Sequence, residues 1–264
     1  MAAASAWEKE YRQVWRREQR FLRKYGTEKQ SLLDQKLDPL VPAKLRETLH
    51  AAFIKAFTVV FEKGTGAIDA VSRQEERRRA CQVRGYAADL RESRKNLRAF
   101  SKAAGSAGRV NLALAGVEGV GLGLLGVGLP DVPLFTAMVL KSVYETAASF
   151  GFSYDSPEER SFVLRLLEAA LSRGEELERR NASLNRYIQE GRWPEPAELP
   201  EQIRHTARRL SGELLYMKFL QGVPVAGVVG GAYDAVCLHR VQTYAAIKYQ
   251  RRFLLDRRLR NGRE

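Results

Sequence analysis

Helix-start and helix-stop signals recur along this chain while alternating strand patterns are rare, which restricts it to a packed set of helices. The clearest signal is Ser156-Pro157-Glu158-Glu159, with serine as N-cap, proline at the first helical position and Glu159 placed to complete a capping box. The helix it opens carries Phe162, Val163, Leu166, Leu167, Ala170 and Leu171 on one face. Ser5 with Glu8 makes a second capping box and predicts a helix over 6–25, closed by Gly26. Its apolar stripe is Trp7, Tyr11, Val14, Trp15, Phe21, Leu22 and Tyr25, and its other face is Arg12, Arg16, Arg17, Arg20, Arg23 and Lys24.

Pro39 and Pro42 break the chain before a helix predicted over 43–62. The charged run 73–79 reads as a solvated helix start or a connector, and 86–103 as a mainly polar helix. Asp131 is a good N-cap for an apolar helix over 132–150, which Gly151 closes with Phe152 packing back. Further helices are predicted over 175–190 and 201–221, followed by a long one running through Tyr244 and Tyr249 into a basic end. There is no internal repeat and no long low-complexity linker. The expectation is one compact all-α domain over 1–264, with 1–40 as a peripheral basic helix.

Two stretches break helical propensity. Residues 107–129 hold seven glycines and one acid, Glu118, and residues 224–236 hold Gly227, Gly230 and Gly231. Each glycine costs about 1 kcal/mol relative to alanine in a helix, so these segments make sense only where something approaches the backbone closely. Three readings compete: a tightly crossed pair of core helices, reversible insertion into a membrane, or a stable span. Spacings such as 119/123 and 227/231 suit close helix crossing. Residues 110–129 are long enough to span, but Glu118 near the centre opposes it.

Lysine and arginine number 44 against 31 aspartates and glutamates, a formal net charge of +13. Such an excess attracts polyanions of any kind, whether nucleic acid, anionic lipid or acidic protein. No nucleic-acid-binding motif accompanies it, so no specific nucleic-acid partner is expected. Cys81 and Cys237 are far apart and form no metal-ligand spacing, which fits a reducing compartment. Residues 1–30 are charged throughout and lack the apolar core of a secretory signal, so a cytoplasmic location is expected.

The run NLALAGVEGVGLGLLGVGLPDVPLFTAMVLKSVYETAASFGF, then SPEERSFVLRLLEAAL, LLYMKFLQGVPVAGVVGGAYDAV and AAIKYQRRFL, resembles the EcsC family of bacterial proteins. The likeness is strongest over 107–172 and 214–255. It implies an all-α protein and an association with an ABC transporter, and it brings no established catalytic residues. The positions it singles out are Gly119, Gly126, Pro130, Asp131, Pro157, Glu158, Glu159, Arg160 and Gly227.

No catalytic set stands out. His50, His205 and His239 are scattered without zinc-site spacing, and there is neither a nucleophile elbow nor a phosphate-binding loop. No metal and no cofactor is expected. Glu118, Asp131, Glu145 and Asp234 lie in or beside the most apolar segments. A buried carboxylate must be paired, hydrogen-bonded or protonated. Read together they are a candidate cation or proton site, or a hydrolase site of Asp131 with Glu158 or Asp234. Read separately they are caps and ion pairs. Two arginine clusters, Arg16, Arg17, Arg20, Arg23 and Arg251, Arg252, Arg257, Arg258, Arg260, are candidate contacts with an anionic membrane. The sequence therefore suggests a non-enzymatic accessory protein, peripheral at the inner face of the cell membrane. Its partners would be that surface or a membrane protein such as an ABC transporter. An uncharacterised hydrolase and a soluble helical binding module are the alternatives.

Overall fold

The computed structural model describes residues 4–26, 43–63, 74–106, 131–195, 197–222, 230–260 and 262; within these, the side chains of 60–63, 74, 131, 133–134, 214–222 and 230–235 are not described. Among the described residues the secondary structure is nine helices and no strand. They are α1 (Ala6–Tyr25), α2 (Ala43–Lys63), α3 (Gln74–Leu90), α4 (94–106), α5 (Asp131–Ser149), α6 (Pro157–Leu171), α7 (Gly174–Glu190), α8 (Leu199–Gly222) and α9 (Gly230–Arg260). The all-α reading therefore holds. The glycine-rich run 107–129, with Glu118, and Gly227 lie outside the described residues.

The sequence signals placed most helix ends within a residue or two. One segment differs: the polar helix expected over 86–103 is two helices, broken at 91–93. Asn96 causes the break. Its side-chain amide donates to the carbonyls of Ala87 at 2.9 Å and Arg91 at 2.8 Å, ending α3, while Ser93 Oγ accepts from Asn96 N at 3.2 Å and starts α4.

The core is built around α6 and α9. Helix α6 packs against α7, α8 and α9, and α9 also meets α1, α5, α7 and α8. Contact on several sides explains why α6 from Ser161 to Leu171 is buried except at Arg165, rather than on the one expected face. Phe162 sits at the junction, with ring centroids 5.3 Å from Tyr249, 5.6 Å from Tyr187 and 6.3 Å from Trp193. On the other side α5 packs against α2, α3 and α9, placing Phe53 edge-on to Phe135.

Helix α5 ends where glycine was expected to end it. Gly151 has φ +87, Gly151 N donates to Ala148 O and Phe152 N to Ala147 O, so the last carbonyls are satisfied. A Cβ at this position would lie 3.2 Å from Cys81 Sγ. Gly151→Ala is expected to destabilise the fold by about 1–2 kcal/mol, from the left-handed backbone alone. Urea denaturation followed by circular dichroism checks this; an unchanged midpoint would contradict it.

Candidate functional site

Helix α1 has two unlike faces. Trp7, Val14 and Phe21, each seven residues from the next, turn inward, and Trp7 Nε1 donates to Leu254 O at 2.8 Å. Glu10 and Glu18 fall on the same inward stripe, and both are 1% exposed. Two of the three acids of α1 are thus withdrawn from the surface. The third, Glu8, closes the capping box through its bond from Ser5 N.

Each buried acid is met by cations from distant helices. Glu10 Oε1 accepts from Arg94 Nε at 2.8 Å and Arg98 Nε at 2.9 Å, both on α4. Glu18 lies 2.9 Å from Lys248 Nζ and 2.9 Å from Arg251 Nη1, both on α9. Asn185 Nδ2 donates to it as well, at 2.7 Å. Lys248 is fully buried, and its ammonium also reaches Asn181 Oδ1 at 2.5 Å and Asn185 Oδ1 at 2.8 Å, so its three protons are satisfied. Tyr244 Oη donates to Asn181 Oδ1 at 2.9 Å. Burial alone would raise the Glu18 carboxyl, but Lys248, Arg251 and Asn185 outweigh it and hold it at about 2. Burial pulls Lys248 down to about 8 against the opposing charge of Glu18. This network clamps α1 onto α7 and α9.

Glu159 corrects the capping box expected at Ser156. Ser156 Oγ does accept from Glu159 N, at 3.2 Å. The Glu159 carboxylate, however, turns into the core instead of reaching back, accepting from Tyr249 Oη at 2.7 Å and Arg252 Nη1 at 2.6 Å. Its burial pushes the carboxyl above its ordinary value despite the Arg252 charge. Glu158, next to it, is exposed, and Arg160 is half-buried.

The basic cluster of α9 is not one surface. Arg251 is spent on Glu18. Arg252 binds Glu159 and lies over the rings of Phe152 and Phe162, at 4.3 and 4.9 Å. Arg257, 6% exposed, pairs with Asp89 at 2.7 Å. Arg258 lies over the Trp7 ring, and Arg260 alone of the five is exposed. A helix that packs against five others turns most of its cations inward, where they must be paired.

What remains outward is α1. Lys9, Arg12, Arg16, Arg20 and Arg23 recur every three or four residues, are all exposed, and are joined by Lys24 and by Trp15, 53% exposed. Among the described residues no carboxylate forms an ion pair with Arg12, Arg16, Arg20 or Arg23. Arg17, expected in this cluster, turns aside, and its Nη1 donates to Gln250 Oε1 at 2.8 Å.

Of the four acids read as a carboxylate cluster, Glu118, Asp131, Glu145 and Asp234, only Glu145 has a described side chain. Glu145 is buried and paired with Arg77 at 3.1 Å and Lys141 at 3.7 Å. The side chains of Asp131 and Asp234, and all of Glu118, lie outside the described residues. Among the described residues no group of histidine, cysteine, aspartate and glutamate side chains could hold a metal ion. No described helix is long and apolar enough to cross a membrane. Sequence reading missed the roles of Glu10, Glu18 and Lys248. The legible signal was two acids on the stripe of Trp7, Val14 and Phe21, where only a partnered charge can sit.

The chain matches the EcsC protein family over residues 6–254 of 264. No match was found among curated proteins or among solved structures.

Proposed function

This chain belongs to the EcsC protein family, and on that premise we propose that it is a non-enzymatic accessory protein that docks on the anionic inner face of the cell membrane through α1. The supporting observation is the outward stripe of Lys9, Arg12, Arg16, Arg20 and Arg23, from which two of the helix's three acids, Glu10 and Glu18, are withdrawn by burial, leaving Glu8 at the capped end. Each cation held near an anionic leaflet contributes about 1 kcal/mol, so a handful suffices for reversible attachment. Trp15 flanks the stripe as an aromatic of the kind that rests at headgroup level. The clamp to α7 and α9 gives that face a fixed attitude on the protein body, and a membrane protein, in this family an ABC transporter, is the partner it would reach there.

Cosedimentation with vesicles tests this. Wild type is expected to bind vesicles containing phosphatidylglycerol, to bind neutral vesicles far less, and to weaken as salt rises. Arg16→Gln with Arg20→Gln should weaken binding roughly 30-fold, from about 1 kcal/mol for each charge removed. Arg78→Gln with Arg79→Gln, exposed cations on α3, should change it little. Equal binding by wild type and the α1 variant would refute the role of this face.

A further inference from the structure

Helix α3 carries two seams. Arg77, Cys81, Arg84 and Ala88 turn toward α5: Cys81 and Ala88 are buried, Arg77 Nη2 donates to Glu145 Oε1 at 3.1 Å, and Arg84 Nη2 donates to Ser149 O at 3.5 Å. Two positions further on in each case, about 200° round the helix, stand Arg79, Val83, Tyr86 and Leu90. Val83, Tyr86 and Leu90 are 70%, 67% and 71% exposed. Spacings of four, three and four residues repeat the a and d positions of a coiled coil, the pattern that packs against another helix. Single exposed apolar residues need no explanation; three in heptad register on the face opposite the core do.

The charges beside the seam select the occupant. Glu76 and Arg91 lie on one flank, Arg78 and Asp89 on the other, and all four are exposed. Arg91 N donates to Ala87 O at 3.3 Å, so it continues the turn of α3. A second α3 laid antiparallel, with Val83 of one copy against Tyr86 of the other, brings each flank onto the same flank of the other copy. Glu76 then meets Arg91, Arg78 meets Asp89, and the small side chains of Ala80 and Ala87 meet where the helices come close. Arg79 lays its apolar stem along Leu90. Each contact occurs twice, as a two-fold interface requires. A parallel pair would instead set Arg79 against Arg79 in the seam, where like charges repel. We propose that the protein forms a two-fold dimer by antiparallel pairing of α3, a second copy being the occupant whose charges complement this face. One pair of 17-residue helices is at the small end of specific interfaces, so half-dissociation is expected at about 10–100 μM. The pairing is separate from membrane docking, which uses the cations of α1.

Sedimentation velocity of the full chain, from about 1 to about 300 μM, tests this. Wild type should pass from monomer to dimer over that range. Leu90→Gln, at a site exposed in the monomer, should weaken association about tenfold, because apolar burial is lost twice. Arg91→Glu alone and Glu76→Arg alone each set like charges opposite one another at two places, and each should weaken association about fivefold. Both changes in one chain exchange the charges without altering their complementarity, so association should return to within about twofold of wild type. A monomer throughout, an association that Leu90→Gln leaves unchanged, or a charge exchange that fails to restore it each overturns the antiparallel pairing. If the protein stays monomeric, cosedimentation of Leu90→Gln with phosphatidylglycerol vesicles names the occupant instead. Weakened binding would place the seam against lipid, and unchanged binding would leave it to a helix of a different protein.

Discussion

Lys248→Met is expected to lower the unfolding free energy by about 3–5 kcal/mol, as removal of one partner of a buried ion pair does. Methionine fills much the same volume, so the loss is electrostatic. It strands Glu18, 1% exposed, with Arg251 as its remaining cation and with the amide of Asn185. It also leaves Asn181 and Asn185 without the ammonium that binds both of their carbonyl oxygens. Adding Glu18→Gln should restore more than half of the loss, because the stranded charge is what costs most. Urea denaturation of the two single variants and the double variant measures this directly. Additive losses would mean that Glu18 and Lys248 are not coupled.

The same pair sets an acid limb. The folded-state carboxyl of Glu18 titrates at about 2 against an ordinary 4.5. Its stabilisation is therefore fully present above pH 4.5 and lost as pH falls from there toward 2. The amount is on the order of 3 kcal/mol, because each tenfold difference in proton affinity between the folded and unfolded chain is worth about 1.4 kcal/mol. Glu18→Gln should remove that component, leaving a shallower decline of stability over the same window.

Phe162→Ala is the second large effect, a loss of about 3–5 kcal/mol. The ring is fully buried where α6, α7 and α9 meet. Its neighbours Tyr187, Tyr249 and Trp193 are large, and Tyr187 and Trp193 are already stacked 4.0 Å apart, so they cannot collapse into the space. The Arg252 guanidinium also loses a ring face beside its bond to Glu159. Phe162→Leu should cost clearly less, since it keeps most of the volume. Equal midpoints for the two variants would mean that the site relaxes more than its packing implies. Vesicle binding by folded Phe162→Ala should match wild type, because α1's outward face is untouched.

Helix existence was legible because caps, prolines and glycines act within a few residues. Ser5 with Glu8, Ser156 with Pro157, and Gly151 needed nothing beyond neighbouring backbone to define an end. The cationic face of α1 was legible for the same reason, since a spacing of three or four residues places Arg12, Arg16, Arg20 and Arg23 together on any helix. Their number alone did not make them a surface, however. Arg17 belongs to the same run and faces Gln250, 233 residues away.

The fate of each charge was decided only by tertiary packing. Arg251, Arg252 and Arg257 read as a cationic patch in sequence, yet their partners are Glu18, Glu159 and Asp89, from three other helices. Glu159 has the spacing of a capping residue, but Tyr249 and Arg252 offer its carboxylate a buried, charge-assisted alternative to one backbone N–H. By itself the sequence determined the helices, their ends and the excess of positive charge, because those follow from local geometry and composition. Which of the charges remain on the surface depended on which helices meet, because a charge removed from water must find its counter-charge wherever the fold brings one near.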